Sequence, residues 1–535
     1  MNAVIYSPLD EFEKKYQSLH GENTEKFFQE LVEKSQIDVE ENRKTVREYE
    51  ACKENLAGLT KKRNWLRFFR VLMIITIILL PLVFLKMTPK IRALKAEIDS
   101  IGQKADELFA LAQRQMQPLC QLFTSRDSLS LIEKTIPLIS FDPCFTMEKE
   151  TDMKVNFDYE PDDHVEQSTV ETLSGSYNEN PFLFERKLIH TMGVETYHGY
   201  LQISWTETYH DSKGNLRTRT RTQTLHATVT KPKPYYHTQM TLYFGAQAGP
   251  ELSFSRDASH LEQKSERELE RFIKRGERNL KKKTDEAIKE NSDFMSMSNT
   301  DFEVLFDALD RTNEVQFRTL FTPLAQTNMV DLILSKVGYG DDFHFFKRNR
   351  MNQILTKHSQ ARPICLSTNL FQSHSYDVIK EQFLTRNADF FRGIYFDFAP
   401  LWAIPAYHER PVHSLKPIPD LSQRYSCKEG EVLANAADRL SLSHPDTKTE
   451  TIFKTSFVRS AGEMDETCVT AYSYDIFPRV DFVPMLGGDG RMHAVPVDWQ
   501  EYMPLEARNH CYITRQEIAS GEVLACKNGL SIMKS

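Results

Sequence analysis

Cysteine, tryptophan and glycine are scarce in this chain: 8, 4 and 20 among 535 residues. The cysteines stand at 52, 120, 144, 365, 427, 468, 511 and 526; no two form CxxC, and only Cys511 has a neighbouring histidine, His510. That spacing gives no support to a structural zinc site, and the density is too low for a small domain built on disulfides. A basic excess is also lacking. The 67 Lys and Arg stand against 75 Asp and Glu, for a net charge of -8, so nucleic acid is not an expected partner. Neither GxxxxGK[ST], GxSxG nor HExxH occurs, and the cluster Gly487-Gly488-Asp489-Gly490 has no phosphate-loop spacing. No cofactor and no metal are therefore expected. Wholesale disorder is excluded by 40% apolar and 11% aromatic content.

Long apolar runs are absent but for one, "VLMIITIILLPLVFL" at 71–85, bracketed by Arg70 and Lys86. Fifteen helical residues span only about 22 Å against a hydrocarbon core of roughly 30 Å. Leu66, Phe68 and Phe69 lengthen the run, Arg70 and Lys86 can snorkel, and Trp65 sits where interfacial aromatics gather. The expectation is a single transmembrane helix over 67–87, in preference to a buried core helix or a signal peptide, and hence a single-pass cell-membrane protein anchored in lipid. Lys61, Lys62, Arg63, Arg67 and Arg70 on the amino side favour an inside amino terminus.

Beyond the run, Ile91, Leu94, Ile98, Ile101, Ala105, Leu108, Ala112 and Gln115 recur at steps of three and four, a coiled-coil-like stripe. A weaker series precedes it: Phe28, Val32, Ser35, Val39, Asn42, Val46, Tyr49, Lys53 and Leu56. These residues predict either a self-associating stalk, and so a homo-oligomer, or helices packed on the chain's own body.

What the sequence does have is alternation. "YHGYLQISWTETYH" (197–210) places Leu201, Ile203, Trp205, Glu207 and Tyr209 on one face, and "DSKGNLRTRTRTQTLHA" (211–227) follows a turn-rich start. Pairing His210 with Leu216 sets Glu207 opposite Arg219, Trp205 opposite Arg221, Thr206 opposite Thr220 and Leu201 opposite Leu225. These are favourable cross-strand pairs, and Arg221 over Trp205 would add a cation–π contact. Arg217, Arg219 and Arg221 are then a solvated β-face, with phosphate or anionic-lipid binding as the alternative. His190, His198 and His210 frame the first strand, too far apart for one metal, and read as solvated or core histidines.

The charged segment 260–289 predicts a surface helix, with Lys281-Lys282-Lys283 as an anion-facing cluster at most. "DFEVLFDAL" and "EVQFRTLFT" read as strands, Pro323 opens a helix to Lys336, "FHFFKRNRMNQILT" and "RGIYFDFAPLWAIPAY" read as strand, and "PMLGGDGRMHAVPV" as a hairpin.

The stretches "ETLSGSYNENPFLFERKL" and "TNEVQFRTLFTPLAQTNMVDLI", with the basic hairpin between them, resemble a family of bacterial membrane-anchored proteins containing a domain of unknown function. The resemblance covers roughly residues 140–340 and implies a bacterial, membrane-bound protein, with no activity or site residue to carry over.

The expected fold class is α+β: amino-terminal helices with one transmembrane helix and a short coiled-coil-like stalk, then a mixed body rich in antiparallel hairpins. The expected divisions are a helical region (1–66), the membrane helix (67–87), the stalk (88–125), a β-rich domain (126–257), the charged helix (258–298) and an α+β region (299–535). The leading functional expectation is a membrane-anchored scaffold or binding module whose helical stalk displays an α+β body that recognises a protein partner or the membrane surface. The alternative is a membrane-associated enzyme assembled from scattered residues, for which His408, Glu409, His413 and Asp489 are the candidates.

Overall fold

A computed structural model describes residues 4–75, 88–161, 164–210, 212–290, 294–411, 415–421, 424–461, 464–515 and 523–534. Its main helices in chain order are α1 (Gln17–Ser35), α2 (Val39–Ile75), α3 (Thr88–Cys120), α4 (Asp127–Thr135), α5 (Met147–Phe157), α6 (Glu266–Glu290), α7 (Thr300–Phe306), α8 (Glu314–Leu320), α9 (Pro323–Leu334), α10 (Tyr376–Trp402) and α11 (Cys427–Ala436). The strands are β1 (Ile139–Phe141), β2 (Gln167–Tyr177), β3 (Asn180–His210), β4 (Leu216–Gly245), β5 (Ser253–Arg256), β6 (Phe343–Arg348), β7 (Met351–Thr356), β8 (Ile452–Ala461), β9 (Met464–Leu486), β10 (Met492–Thr514), β11 (Val523–Lys527) and β12 (Leu530–Lys534). The protein is α+β with antiparallel sheets. Two compact units interleave in sequence: 1–139 with 365–399, and 140–364 with 400–535.

The first unit is helical. Gln36 takes a left-handed conformation and breaks α1 from α2, and Asp38 accepts from the Glu41 amide at the new start. The interrupted amino-terminal series therefore belongs to two helices. Helices α2 and α3 run antiparallel side by side: Tyr49 meets Phe109 at 5.5 Å between ring centroids, and Asn42 donates to Gln115 Oε1 at 3.2 Å. Asn42 also donates to the His374 carbonyl and accepts from the Tyr376 amide, so this wholly buried polar residue is satisfied within the chain. On α3, Ile91, Leu94, Ala105 and Ala112 are buried. The coiled-coil-like stalk is thus corrected: its stripe is consumed by α2 of the same chain. The core of this unit is aromatic, with Phe28 against Phe383 at 5.4 Å and Phe12 against Tyr395 at 4.9 Å.

The membrane expectation is corrected as well. Among the described residues no helix is long and apolar enough to cross a membrane. Of the span 67–87, residues 76–87 lie outside the described residues, and α2, which leads into it, carries Lys61, Lys62, Arg63, Arg67 and Arg70 within its last turns before the run. A single-pass anchor and a cell-membrane location are therefore not supported.

The second unit holds both sheets. One has seven strands in the order β1-β2-β3-β4-β7-β6-β5, the other five in the order β11-β12-β10-β9-β8. Helix α11 packs on both β2 and β8, and its polar residues are buried. Lys428 reaches the fully buried Glu185 at 2.6 Å, and Glu431 takes the Thr169 amide at 2.7 Å and Lys454 at 2.8 Å. Burial alone would raise the Glu185 carboxyl, but Lys428 and Lys187 outweigh it and hold it below the usual range.

Two stretches expected as strands are helices. In α7 the apolar residues fall at Phe302, Leu305 and Phe306, and in α8 with its C-cap at Phe317, Leu320 and Phe321, the i, i+3, i+4 spacing of a helix. Asn299 and Asn313 cap them by accepting from the Phe302 and Gln316 amides. Likewise "RGIYFDFAPLW" lies in α10, where a continuous apolar run serves the buried last turns of a helix as well as a strand. Pro323 does open α9, Thr322 capping it, and the charged helix α6 stands as expected. The segment 343–356 is a hairpin of β6 and β7 rather than one strand.

Candidate functional site

The most distinctive surface grows out of strand length. Strand β2 stops pairing with β3 at Ile189, and β4 meets β7 only over 242–245, so residues 191–210 and 216–235 form a two-stranded ribbon of their own. At about 3.3 Å per residue the ribbon runs roughly 65 Å. In the other sheet β8 stops pairing with β9 at Tyr472, which leaves a second, shorter ribbon over 473–486 and 492–505.

The first ribbon has the register expected from its residues. His210 pairs Leu216, Glu207 pairs Arg219, Trp205 pairs Arg221, Thr206 pairs Thr220 and Leu201 pairs Leu225. The second ribbon turns at Gly487-Gly488-Asp489-Gly490, where Gly490 has φ +76°, a left-handed value at home in glycine. Asp489 is engaged by His493 at 3.0 Å.

The two ribbons stack face to face. Ile203, Leu225 and Ala227 of the first are buried against Val495 and Val497 of the second, with Leu201, Trp205, Val483 and Met485 around them. Gly199 makes the close approach possible: a Cβ there would stand 2.1 Å from the Pro496 carbonyl oxygen. Lys231 crosses the layers to Asp481 at 2.7 Å and covers the Trp499 ring at 4.1 Å. Its hydrogen bond holds the Asp481 carboxyl below the usual range. Gln223 accepts from the Gly488 amide at 2.7 Å, so the second turn seats beside Trp205 and Gln223.

Beyond that seat the first ribbon projects alone, and the arginines are there. Arg219 and Arg221 converge on Glu207 at 2.9 and 2.7 Å, and Arg219 lies over the Tyr209 ring at 5.4 Å. Arg221 therefore turns to Glu207, and the cation–π contact expected with Trp205 forms instead between Arg219 and Tyr209. Arg217 pairs opposite Tyr209 and is exposed. Two of the three cations thus share one carboxylate, and all three stand on the face that carries the ribbon stacking further down.

The outer faces differ. On the first ribbon it is mixed: Thr206, Thr208, Thr218, Thr220, Thr222 and Thr224 run through its outer half, His198 and His226 touch at 3.0 Å, and Met192, Val194, Tyr200 and Leu216 are exposed singly among them. On the second it is apolar: Val480, Phe482, Leu486 and Met492 are 49%, 67%, 64% and 61% exposed. They form one strip, since Leu486 pairs Met492 and Phe482 pairs Pro496. This strip was missed from the residues, although its signal is there in the period-two placement of Val480, Phe482 and Leu486.

The candidates for an enzyme are not brought together by shared partners. His408 is buried, its Nδ1 2.7 Å from the Tyr177 hydroxyl and its Nε2 2.9 Å from the Trp402 carbonyl. Glu409 gives its carbonyl to Asn180, Asp489 belongs to the turn above, and His413 lies outside the described residues. His190 is buried against Tyr236 and Tyr474, and His210 contacts the Gly214 carbonyl. Of the three lysines 281–283, Lys283 is turned inward to the Leu309 carbonyl and the Phe294 ring. Among the described residues no cluster of His, Cys, Asp and Glu could hold a metal ion.

Comparison with known protein families, curated proteins and solved structures finds no match for the chain. The candidate site is accordingly read from its own geometry.

Proposed function

We propose that the chain is a binding or scaffold protein whose stacked β-ribbons form a recognition arm, and that a protein partner seats on the outer face of the second ribbon. The observation that carries this is the strip of Val480, Phe482, Leu486 and Met492, apolar, contiguous and uncovered at the end of a rigid two-layer arm. Exposed apolar strips of this kind mark sites of protein association. The buried ion pairs and hydrogen-bonded carboxylates around α11 supply the rigid base from which the arm extends.

The test is the double substitution Phe482→Ser with Leu486→Ser in the full chain. Both side chains are mostly exposed, so the thermal midpoint stays within a few degrees of the parent. In-cell crosslinking from a probe at position 494, which pairs with Pro484 inside the strip, captures a defined protein when Phe482 and Leu486 are present, and the double variant loses it. Equal capture by both proteins, or none by the parent, would overturn this reading.

A further inference from the structure

Each ribbon has two long edges, and the structure shows which backbone groups point out along them. On β4, the Met240 amide and carbonyl bond outward to the Gln360 side chain. On β3 the His190 amide bonds outward to the Glu166 carbonyl, and on β9 the Tyr474 amide and carbonyl bond outward to Thr449 and Lys448. In an antiparallel ribbon such residues alternate with those that bond the partner strand. Since even-numbered residues pair with even-numbered residues throughout both ribbons, it is the even-numbered positions that face outward on all four strands.

The prolines obey this rule. Pro232 and Pro234 on β4, Pro478 and Pro484 on β9, and Pro496 and Pro504 on β10 all stand at outward positions. There they remove an N–H that would otherwise invite another strand, at no cost to the ribbon's own ladder. Strand β3 is the exception. From Thr191 to His210 it has no proline, no lysine and no arginine, and its only acidic residues are Glu195 and Glu207. Its outward residues from Met192 to Thr208 keep every N–H and C=O; among the described residues no neighbouring strand pairs with them, and the Val194 carbonyl alone is met from within the ribbon, by the Tyr235 hydroxyl at 3.4 Å.

We propose that this edge is a self-association surface, on which β3 of a second copy pairs antiparallel about a two-fold axis to make a continuous sheet β4-β3-β3-β4. Charge narrows the register by excluding one neighbouring alignment. With Tyr200 opposite Tyr200 of the partner subunit, Glu195 lies opposite Trp205 of the partner subunit and Glu207 opposite Gly193 of the partner subunit. The outward positions then match small polar residues, Thr196 opposite Ser204 of the partner subunit and His198 opposite Gln202 of the partner subunit. A shift that sets Tyr200 against Gln202 of the partner subunit drives Glu195 onto Glu207 of the partner subunit, and like charges directly opposite are unfavourable. Pairing over Met192–Thr208 is about 55 Å long, which covers on the order of 600–800 Å² per copy, the scale of a stable interface. An isologous contact of this kind closes at two subunits.

The experiment is sedimentation equilibrium of the full chain and of Gln202→Pro. Position 202 faces outward as the six natural prolines do, so this variant keeps its circular dichroism spectrum and melts with the midpoint of the parent diluted to monomer. The expected result is a dimer for the parent and a shift of its dissociation constant by at least a hundredfold for the variant. Leu201→Pro, at an inward-bonding position, is the contrast that breaks the ribbon itself. A second pair of changes avoids proline: Thr196→Lys with Ser204→Lys puts like charges opposite one another across the two-fold while leaving the monomer's exposed outer face intact. Tyr200→Cys, under oxidising conditions, gives a disulfide-linked dimer that the parent does not form. A monomeric parent, a dimer unaffected by both Gln202→Pro and the double lysine change, or an uncrosslinked Tyr200→Cys would each overturn the proposal. Capture of a partner through Phe482 and Leu486 is read separately, and Gln202→Pro leaves it unchanged.

Discussion

The two ribbons are built on the same plan and protected in different ways. The second is short, carries four prolines at outward positions and shows an apolar outer face. The first is long, carries six threonines among a few single apolar residues on its outer face, and guards one edge with Pro232, Pro234 and nearby cations while no described strand pairs with the other. The lesson is that edge and face are separate problems. Proline silences backbone donors and says nothing about side chains, while threonine keeps a face soluble and leaves the backbone available. A strand can therefore be closed to pairing and open to apolar contact, as β9 is, or the reverse, as β3 is.

The largest change expected is at the contact that joins the ribbons. Gly199→Val forces a side chain into the Pro496 carbonyl and the Val497 methyl, so the layers must separate, at about 3 kcal/mol or more. A melt indistinguishable from the parent would mean that the ribbons do not stack as described. Trp205→Ala should cost less, about 2 kcal/mol, because the ring is only half buried where a fully buried tryptophan is worth ~3–5 kcal/mol. It also frees the turn at Gly488, so proteolysis near 487–490 should accelerate with it.

Acid sharpens the comparison at the root of the arm. Burial holds the His190 imidazole below its ordinary pKa, with Glu166 opposing, and the ring packs against Tyr236 of β4 and Tyr474 of β9. In the unfolded chain the imidazole takes its proton near ~6.5, whereas the buried ring resists protonation to lower pH. Its contribution is therefore full above ~6.5 and is lost as the pH falls through the lower folded value. Unfolding followed between pH 7 and 5 should show a decline that His190→Gln reduces. An identical decline in both would assign the acid sensitivity elsewhere.

The smallest effect belongs to the comb of arginines. Arg219→Ala removes one of two exposed cations from Glu207 and should cost at most ~1 kcal/mol, since Arg221 keeps the carboxylate paired. A larger loss, measured by chemical denaturation, would give these residues a structural weight that their exposure does not suggest. Replacing Arg217, Arg219 and Arg221 together by alanine, with binding to anionic vesicles measured at low and high salt, tests the anion-binding alternative directly.

Much of the first ribbon was legible because its information is local. Alternation over 197–210, a turn rich in Asp, Gly and Asn, and oppositely charged partners admit one register. The hairpin around 487–490 was legible for the same reason. Helices α7 and α8 were misread because seven-residue helices offer only two turns of apolar spacing, which short strands can imitate. The stripe on α3 suits a seam with another chain as well as one within its own, and a membrane helix between the two series leaves only another chain to join them. With that helix unsupported, Asn42, Tyr49 and Phe109 show the two series meeting within one chain.

By itself the sequence determined what neighbours along the chain can decide: where the ribbons turn, which residues share a face, and that His210 opposes Leu216. Only the tertiary structure decided which apolar face is covered. Ile203 and Phe482 are both apolar residues on alternating strands, yet Ile203 is buried under Val495 and Val497 while Phe482 stays in solvent. The reason is physical: alternation sorts side chains onto faces, but burial requires a second surface, and that surface arrives from a segment nearly three hundred residues away.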